Sequence, residues 1–174
     1  MNIKRWIPRL RPRGMTLLIS LSVVPQLHAA ALNEAAPQFS LVNSQGQTRK
    51  LSDYRGKVVL INFWASWCAP CQEELPELDR LEARYKGKKV RVLAINVDPR
   101  RTPAKKLLAK LGLRSSHLEI LWDSKSRVVG AYNIETMPSS FILDLHGVIR
   151  YVHSGFHTQD PGLWRQEIDS LLRE

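Results

Sequence analysis

The sequence predicts an α/β domain built on a parallel βαβ arrangement. Val58 to Trp64 is a continuous β-branched and aromatic run, the mark of a strand buried on both faces, and Val90 to Val97 is a second strand. Between them Leu75, Leu78, Leu81 and Tyr85 recur at spacings of three and four, one apolar stripe of a helix spanning Pro70 to Tyr85. A second helical segment follows Val97. Strand, helix, strand, helix implies parallel pairing with helical crossovers.

The remaining elements follow in chain order. Phe39 to Val42 and Gln47 to Leu51 flank Asn43-Ser44-Gln45-Gly46, a hairpin-turn composition, so a small edge hairpin opens the domain. Ser52 to Lys57 is turn-like, and Val58 to Trp64 is read as the central strand. Pro76 lies inside the first long helix and removes its bond to the Gln72 carbonyl, which predicts a kink one turn after the start. Pro103 to Leu111 reads as a helix with Thr102 as N-cap and Gly112 as its stop. Arg127 to Tyr132 forms a further helical turn or two. Phe141 to Asp144 and Val148 to His153 bracket Leu145-His146-Gly147 as a hairpin, and Pro161 to Leu172 closes the chain as a helix. The last part is an antiparallel ββα unit.

A length of 174 residues allows one domain with a short appendage, and 44% hydrophobic with 24% charged residues excludes both a wholly disordered chain and a multi-span membrane protein. The formal charge is +10, but residues 1–31 hold five basic residues and no acid; the remainder carries 21 basic against 16 acidic residues, a net +5. A modestly basic surface suits acidic partners or anionic headgroups, and is equally the mark of an ordinary solvated face. The basic clusters Lys86 to Lys89, Arg100-Arg101 and Lys105-Lys106 lack interleaved aromatics, so nucleic acid is not an expected partner.

The amino terminus reads as an export signal. A basic stretch precedes Met15 to Leu27, a mostly apolar run of 13 residues, and His28-Ala29-Ala30-Ala31 offers small residues for cleavage. As a helix this run would reach about 20 Å, short of the roughly 30 Å hydrocarbon core, which favours a cleaved signal peptide over an uncleaved anchor. Either way the rest of the chain is expected outside the cytoplasm, in a disulfide-permissive place such as the periplasm. The expected organisation is a signal segment over residues 1–31, a linker over 32–36 and one domain over 37–174.

Cys68 and Cys71 are the chain's two cysteines, which excludes a disulfide-stapled miniature scaffold and a four-sulfur metal centre. They sit where the buried strand ends and the amphipathic helix begins. On a first helical turn the pair can close a small disulfide ring, and the free N–H groups there stabilise a thiolate. Cys68 is expected to be the exposed nucleophile, and Cys71 to resolve the mixed disulfide formed on it. Two other readings stay open at this point: a structural disulfide, weak because so short a loop restricts little chain entropy, and copper held with a downstream histidine. The histidines show no zinc-ribbon spacing.

The run Asn62-Phe63-Trp64-Ala65-Ser66-Trp67-Cys68-Ala69-Pro70-Cys71, with Pro76 five residues on and Met137-Pro138-Ser139-Ser140-Phe141-Ile142-Leu143-Asp144 downstream, resembles the thioredoxin superfamily. More narrowly it is similar to the exported TlpA/ResA/DsbE-like thiol-disulfide oxidoreductases, whose opening hairpin and following segment match residues 39–57. The resemblance covers nearly all of residues 36–172. It implies a thioredoxin fold, a central mixed β-sheet flanked by helices, with an N-terminal β-hairpin extension. It also implies that Pro138 is cis and faces the disulfide, and that the main chain of Met137 pairs with an extended partner segment. Ala69, Pro70 and Trp67 join them as the expected partner-binding surface, Trp67 either packing over the disulfide or being partly buried, with Trp64 in the core.

Glu74 lies three residues after Cys71 on the same helical face, where partial burial would raise its pKa and let it shuttle the Cys71 proton. ResA-like relatives carry a glutamate there; the alternative is a solvated helix glutamate. Thioredoxin itself has an aspartate six residues before the first cysteine, where this chain has Asn62, which takes no proton. The Ala69-Pro70 dipeptide supplies no histidine to stabilise a thiolate, which predicts a reducing couple, hence a reductant re-reduced by a membrane electron-transfer protein. In the family such proteins reduce apocytochrome c cysteines or copper-site assembly factors. No bound cofactor or metal is expected, and the domain is expected to be monomeric. Two rival classes are weighed against this. A peroxiredoxin-like peroxidase needs a threonine three positions before its cysteine, where this chain has Ala65; a copper chaperone of thioredoxin fold spaces its cysteines by three residues rather than two.

Overall fold

A computed structural model describes residues 30–114 and 116–174. The basic stretch and apolar run of the expected export signal lie outside the described residues. The chain runs through β1 (Ser40–Asn43), β2 (Thr48–Lys50), a 3₁₀ turn (Leu51–Tyr54), β3 (Val58–Trp64), α1 (Ala69–Arg84), β4 (Val90–Asn96), α2 (Arg101–Lys110), β5 (Glu119–Trp122), α3 (Arg127–Ala131), β6 (Ser139–Leu143), β7 (Ile149–Ser154) and α4 (Asp160–Leu171).

The strands form one mixed sheet in the order β2-β1-β5-β4-β3-β6-β7. The β3, β4 and β5 strands are mutually parallel, as the helical crossovers require, while β6 runs antiparallel beside β3. Every residue of β3 is buried, which is why its sequence is apolar without alternation. The middle of the sheet is nevertheless β4 rather than β3, because β5 and the opening hairpin extend the sheet beyond β4. Between β4 and β3, Trp64 is in register with Asn96, and Asn96 in turn with Trp122.

The opening hairpin forms as expected. Asn43 turns the chain by accepting the N–H groups of Gln45 and Gln47 on its Oδ1 at 3.0 and 2.9 Å, and Gly46 takes the left-handed φ of +83° that a side chain disfavours. The β5 strand has no counterpart in the sequence reading. Four residues are too few to establish a period, and the strand exists because β4 and β1 offer it edges on both sides. The α2 helix starts at Arg101 rather than Pro103. Thr102 is therefore inside the helix and caps nothing; Arg100 is the N-cap, and Pro103 is tolerated because first-turn N–H groups have no intrahelical acceptor.

On the long helix, α1 continues through Pro76 as one element of 16 residues. It packs on β4 and against α4, which also touches β6. The fully buried Trp164 and Ile168 of α4, the α1 leucines and an aromatic cluster of Phe63, Tyr132 and Phe141, with centroids 5.1 to 6.0 Å apart, make up much of the core. Residues 32–36, read as a linker, are bonded to the sheet. Asn33 N–H donates to the Ile149 carbonyl at 2.7 Å, Ile149 N–H to the Glu34 carbonyl at 2.9 Å and Ala36 N–H to the Gly147 carbonyl at 3.0 Å.

The short α3 is held by one side chain. Asp123 accepts the N–H groups of Arg127, Val128 and Val129 at 2.9 to 3.1 Å. Asp123→Ala should therefore lower the stability of the oxidised protein by about 1–2 kcal/mol in urea unfolding, the scale of a lost helix cap. A change within about 0.5 kcal/mol, the range of an ordinary surface substitution, would show that the packing of Val128 alone holds the segment.

Candidate active site

The site lies where β3 delivers the chain to the N-terminus of α1. Cys68 is the N-cap residue, and its Sγ accepts the N–H of Cys71 at 3.2 Å. Pro70 occupies a first-turn position that tolerates its missing N–H. Cys68 and Cys71 are joined by a disulfide with an S–S distance of 2.05 Å and Cα atoms 5.3 Å apart. Cys68 retains 5% exposure and Cys71 none, so only the first cysteine of the pair keeps any surface open to a partner, and far less than the sequence suggested.

The loop between β3 and the disulfide is fixed from β4. Asp98 accepts both the N–H and the Oγ–H of Ser66, at 3.0 and 3.1 Å, and is itself held by Asn96 Nδ2 at 2.9 Å. Gln72 Nε2 closes the loop from the helix by donating to the Ser66 carbonyl at 3.2 Å. These contacts over-determine the backbone before Cys68. Trp67 points away from them and is 69% exposed, a flat apolar surface beside the disulfide rather than a partly buried side chain.

Beneath the pair lies Glu74, 1% exposed. Its carboxylate accepts a hydrogen bond from Asn62 Nδ2 at 2.7 Å and a longer one from Ser140 Oγ at 3.3 Å; Asn62 Nδ2 also donates to Ser140 Oγ at 3.0 Å. Burial raises the Glu74 pKa to about 8, and the two hydrogen bonds, which favour the ionised form, offset only part of that. The solvated reading of Glu74 is thereby excluded. Asn62, which cannot take a proton, instead donates to the Glu74 carboxylate and orients it.

Met137-Pro138 is a cis peptide. Because β6 is antiparallel to β3 with Ser139 opposite Phe63, the residues preceding Ser139 lie level with the loop that follows Trp64. The turn is tied by Ser139 Oγ donating to the Thr136 carbonyl at 2.6 Å and by Gly155 N–H donating to the Pro138 carbonyl at 2.8 Å. The fold thus brings Cys68, Cys71, Trp67, Ala69, Pro70, Met137 and Pro138 to one end of the sheet, with Glu74 underneath.

Sequence reasoning missed Ser140, Asn96 and Asp98. Asn96 left a trace, a polar residue closing a mostly apolar strand; Ser140 meets Glu74 only through pairing across 66 residues, which no local pattern reports.

Residues 32–152 match the AhpC/TSA family. The chain is also 36% identical over 132 residues to the thiol-disulfide oxidoreductase ResA of Geobacillus kaustophilus, spanning 76% of this chain and 74% of that protein. The chain belongs to the AhpC/TSA family, among its ResA-like thiol-disulfide oxidoreductases. The thioredoxin-like protein YneN of Bacillus subtilis is a comparable relative, 36% identical over 136 residues with 78% of this chain and 79% of that protein covered. Among solved structures, a DsbE-type thiol:disulfide interchange protein from Chlorobium tepidum superposes with a TM-score of 0.76 at 34% identity, covering 83% of this chain and 99% of the other. The fold is therefore the thioredoxin fold with an added N-terminal hairpin, and the ResA-like chain is a redox enzyme whose couple is the Cys68–Cys71 pair.

The raised Glu74 pKa has a measurable consequence for stability. The folded protein keeps the proton up to pH of about 8, whereas the unfolded chain loses it near an ordinary carboxyl value. Stability is therefore full below the unfolded pKa and falls as pH rises through that window. Between pH 5 and pH 8 the oxidised protein should lose roughly 3 kcal/mol from this group. Glu74→Gln should remove that slope in urea unfolding; parallel pH profiles for the two proteins would contradict the assignment.

Proposed function

We propose that this ResA-like oxidoreductase is an exported reductant of protein disulfides, working outside the cytoplasm and re-reduced there by a membrane electron-transfer protein. The observation that carries this reading is a closed dithiol at a helix N-terminus, with a protonatable carboxyl buried one turn below it. Export rests on the basic and apolar sequence of residues 1–31; among the described residues no helix is long and apolar enough to cross a membrane.

In the reduced enzyme the Cys68 thiolate attacks one sulfur of a partner disulfide. A mixed disulfide forms, and the other partner sulfur leaves as a thiolate. The Cys71 N–H that meets Cys68 Sγ in the oxidised state stabilises the same sulfur as an anion. In the fraction of enzyme that holds Glu74 ionised, Cys71 yields its proton to the Glu74 carboxylate and attacks Cys68, releasing the second partner thiolate and leaving the Cys68–Cys71 bond. Two electrons pass from the enzyme dithiol to the partner, and the released thiolates take up protons.

The partner segment docks along Met137-Pro138. Among the described residues neither the N–H nor the C=O of Met137 is used in a hydrogen bond, which leaves both for an extended chain. Trp67, with Ala69 and Pro70, supplies an apolar contact that accepts many side chains. Apocytochrome c cysteines and the cysteines of copper-site assembly proteins are the partner classes that suit such a reductant. The enzyme acts as a monomer without bound cofactor, on protein thiols and not on nucleic acid.

The reduction potential of the Cys68–Cys71 couple, measured in dithiothreitol or glutathione buffers, should lie near thioredoxin's, about −270 mV. A value near −120 mV, that of a strong oxidant, would instead mean that the protein introduces disulfides. Cys71→Ser should trap partners as mixed disulfides on Cys68, whereas Cys68→Ser should trap none. Equal trapping by both variants would reverse the roles.

A further inference from the structure

The loops that follow the parallel strands β3, β4 and β5 all emerge at one end of the sheet. The first of them leads to the disulfide. The loop after β5, with β1, α3 and Arg101 at the start of α2, encloses an open cleft of about 600 Å³ that no step of the exchange reaction uses. Phe39, Trp122 and Val128 line its apolar part, and Arg101, Lys125 and Arg127 its rim.

The cleft is close to the reacting sulfurs. Trp64, Asn96 and Trp122 are in register across β3, β4 and β5, so two strand spacings, about 10 Å, separate the end of β3 from Trp122. A protein interface of ordinary size buries about 800 Å² on each partner, a disc of roughly 16 Å radius. A folded partner centred on Cys68 therefore extends as far as this cleft.

Its charge is one-sided. Arg101, Lys125 and Arg127 are exposed, and none of them is in a salt bridge among the described residues. The Arg101 guanidinium lies 5.5 Å from the centroid of the Trp122 ring, which holds it at the cleft without neutralising it. The one acid in the lining, Asp123, is 2% exposed and spends its carboxylate oxygens on the N–H groups of α3. On the β6 side of the disulfide, by contrast, the exposed charge in the turn before Pro138 is Glu135.

We propose that the cleft receives an acidic segment of the partner protein, rich in Asp and Glu with an interspersed apolar side chain, while the partner's disulfide is exchanged at Cys68. This rests on the reading of the chain as a disulfide reductase and adds a criterion for its substrates. Carboxylates meet the guanidinium groups of Arg101 and Arg127 and the Lys125 ammonium, and an apolar side chain settles against Trp122. The opposite charge at Glu135 fixes which way the partner lies across the disulfide.

The test uses peptides that share one disulfide ring and differ in a flanking segment that is acidic, neutral or basic, with 2-hydroxyethyl disulfide as a substrate too small to reach the cleft. At low salt the acidic peptide should be reduced with kcat/KM ~10-fold above the neutral one, an advantage that added salt removes. The variant Arg101→Glu/Lys125→Glu/Arg127→Glu should invert the order of the peptides and leave the small disulfide unaffected. Lys125→Glu/Arg127→Glu, which keeps the Arg101 contact with Trp122, should act in the same direction. Equal rates for the acidic and neutral peptides, or an order that survives both variants, would overturn the proposal. So would binding to phosphatidylglycerol vesicles that the triple variant abolishes while the order of the peptides is unchanged, which would make the cleft a membrane contact. The affinities of the same peptides with serine in place of cysteine, read by fluorescence anisotropy, decide the cleft independently of redox chemistry. Selective binding of the acidic peptide without reduction of any disulfide would sink the reductase reading and leave the cleft assignment standing.

Discussion

The seam between β3 and β6 is the constraint on which the site depends. Asn62 and Ser140, the two donors that face Glu74, are direct cross-strand neighbours in that ladder, and the next pair, Phe63 with Ser139, sets Pro138 level with the loop to Cys68. In a sheet, side chains alternate between faces, so a slip of one residue would turn Ser140 away from Glu74 and displace the cis proline together. The register is secured by burial, since every residue of both strands is buried. Packing thus fixes a polar arrangement that its own hydrogen bonds would hold only weakly.

That arrangement explains how a buried carboxyl is kept in this core. Complete satisfaction by donors would hold Glu74 as an anion, and isolation among apolar side chains would hold it as a permanent acid. Two donors, one of them long, leave it between these limits. Asn62 is suited to this because its amide donates to Glu74 and also to Ser140 Oγ, the second donor, and does not itself titrate. The contacts of Asp98 with Ser66 serve the other half of the site by fixing the backbone that presents Cys68, so the surroundings of the buried carboxyl and of the disulfide are built from opposite neighbours of β3.

Much of this was legible in the sequence where the signal was local. The buried run 58–64, the strand at 90–97, the amphipathic stripe of α1, the cysteine pair at its start and Glu74 one turn on are all patterns within one element. The resemblance to ResA-like proteins carried Pro138, whose cis bond no local rule would have specified. What escaped depended on partners distant in the chain. The β5 strand is a strand because β4 and β1 flank it, and Ser140 faces Glu74 because β6 pairs with β3. Thr102 looked like a helix cap because its residue type suits one, but with Pro103 accommodated in the first turn the helix could begin earlier. Trp67 was expected to be at least partly covered, but the turn that Asp98 holds leaves it outside.

The segment before the first strand has a further role through its bonds to Gly147 and Ile149 and the bridge between Ala35 and Val148. The β7 strand is the outer strand on that side of the sheet, and an open outer strand is a template on which a second chain can add. Residues 33–36 cap the start of that edge with the protein's own backbone. A chain trimmed at residue 37, where a domain boundary would be drawn from sequence, would keep its disulfide and its helices but expose these backbone groups, and its weakness would show as self-association rather than as lost chemistry.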